Sequence, residues 1–159
     1  MKITIISVGK IKEKFYREAI AEYAKRLSSY CKFEIIELQD EKTPDKASAE
    51  TERLIKEKEA ERIMKAVDEK GYLIALAING KAYDSVQFSQ HIEKLMITGN
   101  SHIQFVIGGS LGLSDRLRNR ANEAIKLSDL TFLHQMTRLI LIEQIYRSFK
   151  ILNNETYHK

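Results

Sequence analysis

The segment Tyr72-Leu-Ile-Ala-Leu-Ala-Ile78 is a nearly continuous apolar run of strand length. A strand without polar alternation is stable only where both faces of its sheet are covered, which points to a parallel sheet between two layers of helix. The rest of the chain agrees. Lys2 to Val8, Phe33 to Leu38 and Ile103 to Ile107 are further short apolar runs. Between the first two, Tyr16, Ile20, Tyr23, Leu27 and Tyr30 recur at spacings of four and three, the period of an amphipathic helix. Asn79-Gly80 ends the apolar run with turn residues, and Gln39 to Ser48, with the only proline, Pro44, is a polar loop.

Glu50 to Asp68 is helical by composition, with Glu52–Lys56 and Glu61–Lys65 as i,i+4 pairs, and has so few apolar residues that much of it should face water. Asp84 or Ser85 caps a helix to about Ile97, which Gly99-Asn100 ends. Ser114 caps another to about Ala124, Ile125 to Leu130 forms a short fifth strand, and a last helix runs from near Phe132 to Leu152. The expected fold is α/β, a mostly parallel sheet with helices on both faces, in one domain spanning residues 1–159. Ligands of such folds sit beyond the carboxyl ends of the strands.

A formal charge of +4 is compatible with an acidic partner without demanding one. The single cysteine, Cys31, cannot form an intrachain disulfide and reads as a small buried hydrophobe in a reducing cytoplasm. The N-terminus reads as a first strand and not a signal peptide. No stretch approaches the roughly 18 apolar residues of a membrane span. His91, His102, His134 and His158 are too scattered for a zinc site, and no metal is expected.

Chemistry concentrates in the last third. The strand ending at Ile107 runs into Gly108-Gly109-Ser110-Leu111-Gly112, which has neither the Lys-Ser/Thr of a P-loop nor the order of a dinucleotide fingerprint. Glycines there let a ligand approach the backbone, or serve a tight βα turn that needs them for packing. Leu127-Ser-Asp-Leu-Thr-Phe-Leu-His134 breaks regular structure and leaves backbone groups free for an adenine edge; its alternative is a plain loop with Thr131 as helix cap. His134 and Arg138, one turn apart, can orient a polar substrate, or His134 is a satisfied polar group. Leu139-Ile-Leu-Ile142 is apolar on every side of the helix, so a second covering is needed, a second subunit or a central position in a monomer. Tyr146-Arg-Ser-Phe-Lys150 and the terminal Tyr157-His-Lys159 mix aromatic and basic residues, suited to unpaired bases and phosphates if the tail is not simply frayed. Lys10, Lys12, Lys14 and Arg17 form a second basic group, a nucleic-acid contact or a solvated face.

Together, Val8-Gly-Lys-Ile-Lys12, Ile107-Gly-Gly-x-x-Gly112, Leu127-Ser-x-x-Thr-Phe-x-His-Gln-Met-x-Arg138, Glu143-Gln-x-Tyr-Arg147 and Tyr157-His-Lys159 resemble the RlmH family of small SPOUT-class methyltransferases over the whole chain. Leu133 departs from the family's usual proline before the histidine. The resemblance implies an S-adenosyl-L-methionine (AdoMet)-dependent enzyme that methylates N3 of a pseudouridine in the helix 69 hairpin of 23S rRNA on the assembled ribosome. It further implies a C-terminal trefoil knot and a homodimer. AdoMet contacts are expected at Leu76, Gly108, Leu127, Ser128, Asp129, Leu130, Thr131 and Phe132. RNA-facing or catalytic roles are expected at Arg147, Tyr157 and His158, with His158 the leading base. Two other readings share the same residues: a SPOUT enzyme acting on transfer RNA, and a ribosome-binding or assembly module without turnover.

Overall fold

The computed structural model describes Met1–Lys159 as five strands alternating with five helices. They are β1 (Lys2–Val8), α1 (Lys14–Leu27), β2 (Lys32–Leu38), α2 (Ala49–Ala66), β3 (Tyr72–Ala82), α3 (Ser85–Ile97), β4 (His102–Ile107), α4 (Asp115–Arg120), β5 (Glu123–Lys126) and α5 (His134–Leu152). All strand pairs are parallel, in the order β2-β1-β4-β3-β5. The expected α/β sheet is therefore present, with helices on both faces. No helix is long and apolar enough to cross a membrane.

Strand alternation divides the core. Ile3, Ile5, Ile74, Ile103 and Phe105 face α1, α3 and α5, whereas Ile6, Val8, Leu73, Ala75 and Val106 face α2 and α4. Cys31 is buried on the first face, and burial pushes its thiol up to about 11. Helix α2 buries Ile55, Glu59, Ala60 and Ile63 and otherwise faces water. The expected Glu52–Lys56 and Glu61–Lys65 pairs do not form; Arg53–Glu50 and Arg62–Glu41 do. Asp84 caps α3 through a full capping box with Gln87, and Ser114 accepts from Leu117 N–H at the start of α4.

Two boundaries differ from expectation. Strand β3 does not stop at Ile78. Ile125 is registered against both Leu76 and Lys81, so the intervening residues bulge out and the strand resumes to Ala82. Gly80 permits this, because a Cβ there would lie 2.4 Å from the Ile125 carbonyl carbon. Helix α4 ends at Arg120 instead of continuing to Ala124, and β5 is Glu123–Lys126, not Ile125–Leu130. Asn122 explains the shift: its backbone N–H donates to Leu73 O (2.8 Å) and its Oδ1 accepts from Leu73 N–H (2.8 Å), pulling the following residues onto β3. Residues 127–133 consequently form an irregular connection to α5, capped by Leu133 without a side-chain bond and not by Thr131.

Candidate active site

The bulge of β3, the carboxyl end of β4 and the connection after β5 border a cavity of about 220 Å³. Its apolar wall is Leu76, Ile78, Ile107, Leu127 and Phe132, and its polar rim carries Ser110, Ser128, Thr131 and Thr137. Leu76, Gly108, Leu127, Ser128, Leu130, Thr131 and Phe132 are brought together as expected. Asp129 is not among the lining residues: its side chain, 88 % exposed, pairs with Lys126 at the cavity's edge. From Ser128 to Phe132 no backbone group bonds to another backbone group, and the only N–H taken up locally is that of Leu130, donated to Ser128 Oγ (3.0 Å). Such unpaired donors and acceptors must be met by solvent or by a ligand. Ala77 and Ile78 join the wall only because β3 bulges, and no short sequence motif marks them.

The glycines serve the loop first. A Cβ on Gly108 would lie 2.8 Å from Gly112 C and 2.9 Å from Gly112 O, and one on Gly109 would lie 3.0 Å from the buried Glu59 Oε1. The loop closes with Gly112 N–H donating to Gly109 O (3.0 Å), and Gly112 takes φ +82°. The tight-turn reading of these residues therefore holds, and the turn in turn shapes the cavity. Beneath it, burial pushes the Glu59 carboxyl above its ordinary value, while the Glu41 N–H donated to it (3.1 Å) pulls the other way.

His134 stands between this cavity and a polar cleft at the ends of β1 and β2. Burial lowers its pKa, and the nearby Arg138 charge lowers it further, so the imidazole is neutral at neutral pH. Arg138 does not share a substrate with it. That guanidinium is fully buried and donates to Val8 O (2.8 Å), Gly9 O (2.7 Å) and Glu37 Oε2 (3.0 Å). It holds the β1–α1 turn, where Gly9 takes φ +90°.

The terminal residues form a separate ordered cluster. Glu143 accepts from Arg147 Nη2 (2.5 Å) and from Tyr157 Oη (3.1 Å), and Arg147 lies over the Tyr157 ring, 4.7 Å from its centre. Tyr157 also packs edge-on against Tyr146, and Tyr23 and Tyr157 hydroxyls are 3.3 Å apart. The tail is thus docked on α5, not frayed, and one face of the Tyr157 ring is already covered. Arg147 Nη1 lies 3.2 Å from His158 Nδ1. A guanidinium can only donate, so Nδ1 accepts and the proton of a neutral ring is on Nε2. Glu143, which holds Arg147 and Tyr157, was not among the expected site residues, although Glu143-Gln-x-Tyr-Arg147 carries it at helical spacing from Arg147. None of Glu143, Arg147, Tyr157 or His158 lines the cavity of the same chain.

A parallel α/β sheet with a glycine turn, an unpaired connection and a docked basic-aromatic tail suits group transfer to a polar substrate, and comparison with known proteins defines the class. The family model described as a predicted SPOUT methyltransferase matches residues 1–158, and the chain belongs to that family. Within it the chain is a member of the RlmH group. It is 54 % identical over 159 residues to "Ribosomal RNA large subunit methyltransferase H" of Clostridium acetobutylicum, and 57 % and 53 % identical to proteins of the same name from Clostridium botulinum and Acetivibrio thermocellus, in each case covering 100 % of both chains. The solved structure of a probable methylase family protein from Haemophilus influenzae shares the fold at TM-score 0.54 and 13 % identity, over 99 % of this chain and 70 % of that one.

Proposed function

We propose that the protein is an AdoMet-dependent methyltransferase of large-subunit ribosomal RNA, acting on N3 of a pseudouridine in the helix 69 hairpin of assembled ribosomes in the cytoplasm. The observation that carries the reading is the cavity between the bulge of β3 and the carboxyl end of β4, with its apolar wall and the unpaired backbone of 128–132. Those features fit AdoMet: an apolar wall for adenine, backbone donors and acceptors for its edge, and the Ser110 and Thr137 hydroxyls for polar groups. When bound, AdoMet supplies a sulfonium-activated methyl group. The relatives' name favours ribosomal over transfer RNA.

The protein's own task is then alignment of the nucleotide and escort of its N3 proton. Alignment contributes up to about 7 to 11 kcal/mol, more than the 10² to 10⁴-fold that a general base supplies. Arg147 and His158 orient the nucleotide, with Tyr157 and Glu143 holding both in place. His158 takes up a proton only after Nδ1 leaves Arg147, so its resting contribution is the Nε2–H donor. Because this tail lies apart from the cavity of its own chain, the tail of a second copy completes the site in a homodimer. Ile78 and Leu130, 86 % and 73 % exposed, line the cavity, and with Leu133, 68 % exposed and next to Phe132 in the chain, they suit such an interface. A C-terminal knot, with the 127–133 connection threaded before α5 packs on α1 and α3, is part of the same proposal.

The deciding experiment is methyl transfer from labelled AdoMet to ribosomes, isolated subunits, free 23S rRNA and transfer RNA, with mapping of the product. Label confined to a pseudouridine N3 of intact ribosomes is expected. Label in transfer RNA, or none in any RNA, refutes the reading.

A further inference from the structure

The cleft at the carboxyl ends of β1 and β2 differs in kind from the methyl-donor cavity with which it shares His134. Its volume is about 740 Å³ and no apolar side chain lines it. A wall of that kind takes a solute larger than an ion that meets it through polar groups. Lys10 and Lys12 are exposed there, and neither is in an ion pair, unlike Lys14, which meets Glu18. Glu37 Oε2 is engaged by Arg138 and by the Ile11 N–H (3.1 Å), so the Arg138 charge offsets that of the carboxylate. In the same cleft, Asp40 is exposed and makes no hydrogen bond, and Gln135 Oε1 is buried without a partner. The cleft thus presents two free cations and two free acceptors. Its occupant must carry both an anion and hydrogen-bond donors.

We infer that this cleft receives one ribonucleotide of the RNA strand that leads into the methyl-donor cavity. Lys10 and Lys12 meet its phosphodiester, Asp40 accepts from the ribose 2′-hydroxyl, and the Gln135 carbonyl accepts an N–H of the base. A 2′-hydroxyl donor is what separates RNA from DNA at such a contact. The common wall at His134 places this nucleotide next to the one that is methylated. The assignment rests on the proposed RNA substrate and extends it to the basic group at the first βα turn.

The test uses the full-length protein, intact 70S ribosomes and three variants: the pair Lys10→Gln/Lys12→Gln, Asp40→Ala and Gln135→Ala. Ribosome binding is measured by co-sedimentation without AdoMet over a salt series, AdoMet affinity by calorimetry, and methyl transfer under single turnover. The lysine pair is expected to weaken ribosome binding about tenfold and to flatten the log Kd against log salt slope by about 0.7, for the one phosphate that is no longer neutralised. Asp40→Ala and Gln135→Ala weaken binding without changing that slope, and all three keep the wild-type affinity for AdoMet. An unchanged slope and Kd in the lysine pair overturns the cleft, as does loss of AdoMet affinity in parallel with ribosome binding. Cleft-dependent ribosome binding by a wild-type protein that transfers no methyl group would instead overturn the proposed reaction and leave the cleft standing. Failure of the wild type to bind ribosomes overturns both.

Discussion

Arg138→Met removes a guanidinium head while leaving most of the stem volume. Two backbone carbonyls, Val8 O and Gly9 O, lose their side-chain donor, and leaving a buried acceptor unpaired costs about 1 to 3 kcal/mol each. The Glu37 interaction adds no more than about 1 kcal/mol, because that carboxylate is 42 % exposed and rehydrates. Loss of the guanidinium's own desolvation, together with water entering from the cleft, offsets part of the sum and leaves about 2 to 4 kcal/mol. For a domain of this size that is a fall in melting temperature of about 5 to 15 °C, or about 1 to 2 M urea in the midpoint at constant m. Arg138→Lys should recover only part of it, since one ammonium cannot span three acceptors. A second readout is independent of stability. The Arg138 charge and the burial around it both lower the His134 pKa, so the His134 NMR titration midpoint should rise in Arg138→Met. A loss under 1 kcal/mol, or a His134 midpoint that stays put or falls, would show that Arg138 does not hold the β1–α1 turn as described.

Glu59→Gln should stabilise the protein near neutral pH and not at pH 4: with the native pKa raised above 4.5, the folded state holds a proton the unfolded chain has released, so wild-type stability falls as pH rises through that window. Thermal melts of both proteins across pH 4 to 8 check this, and a difference that grows toward acid refutes it. Deleting Tyr157–Lys159 should leave AdoMet affinity intact by calorimetry and cut single-turnover methyl transfer to ribosomes by at least about 10²-fold, since the tail lies outside the cavity. Full activity after the deletion would remove the tail from the reaction. Replacing Leu130 and Leu133 together by Glu should give a species of 18.4 kDa by light scattering, with the wild type at twice that mass; a monomeric wild type that methylates RNA would end the homodimer reading.

The order of strands and helices was legible in the sequence because apolar periodicity is a local property that burial imposes directly. Tyr72–Ile78 announced an interior strand, and the four-three spacing from Tyr16 to Leu27 announced α1. The glycine turn and the 127–132 connection were legible as a place, since glycines and broken periodicity mark where regular backbone bonding ends. What they do was not. Only the folded chain shows that Gly108 spares the Gly112 backbone, that Gly80 lets β5 approach a bulged β3, and that Asn122 ends α4 early by bonding to Leu73. Each depends on a backbone that is remote in sequence, about which local patterning carries no information. The same holds for charge. Arg138 reads as a substrate ligand on a helix beside His134, yet it is spent on the carbonyls of Val8 and Gly9. Sequence therefore determined which segments become strands, helices and irregular turns. Tertiary structure decided which polar groups are consumed by folding and which stay free for a ligand, because that depends on partners far along the chain.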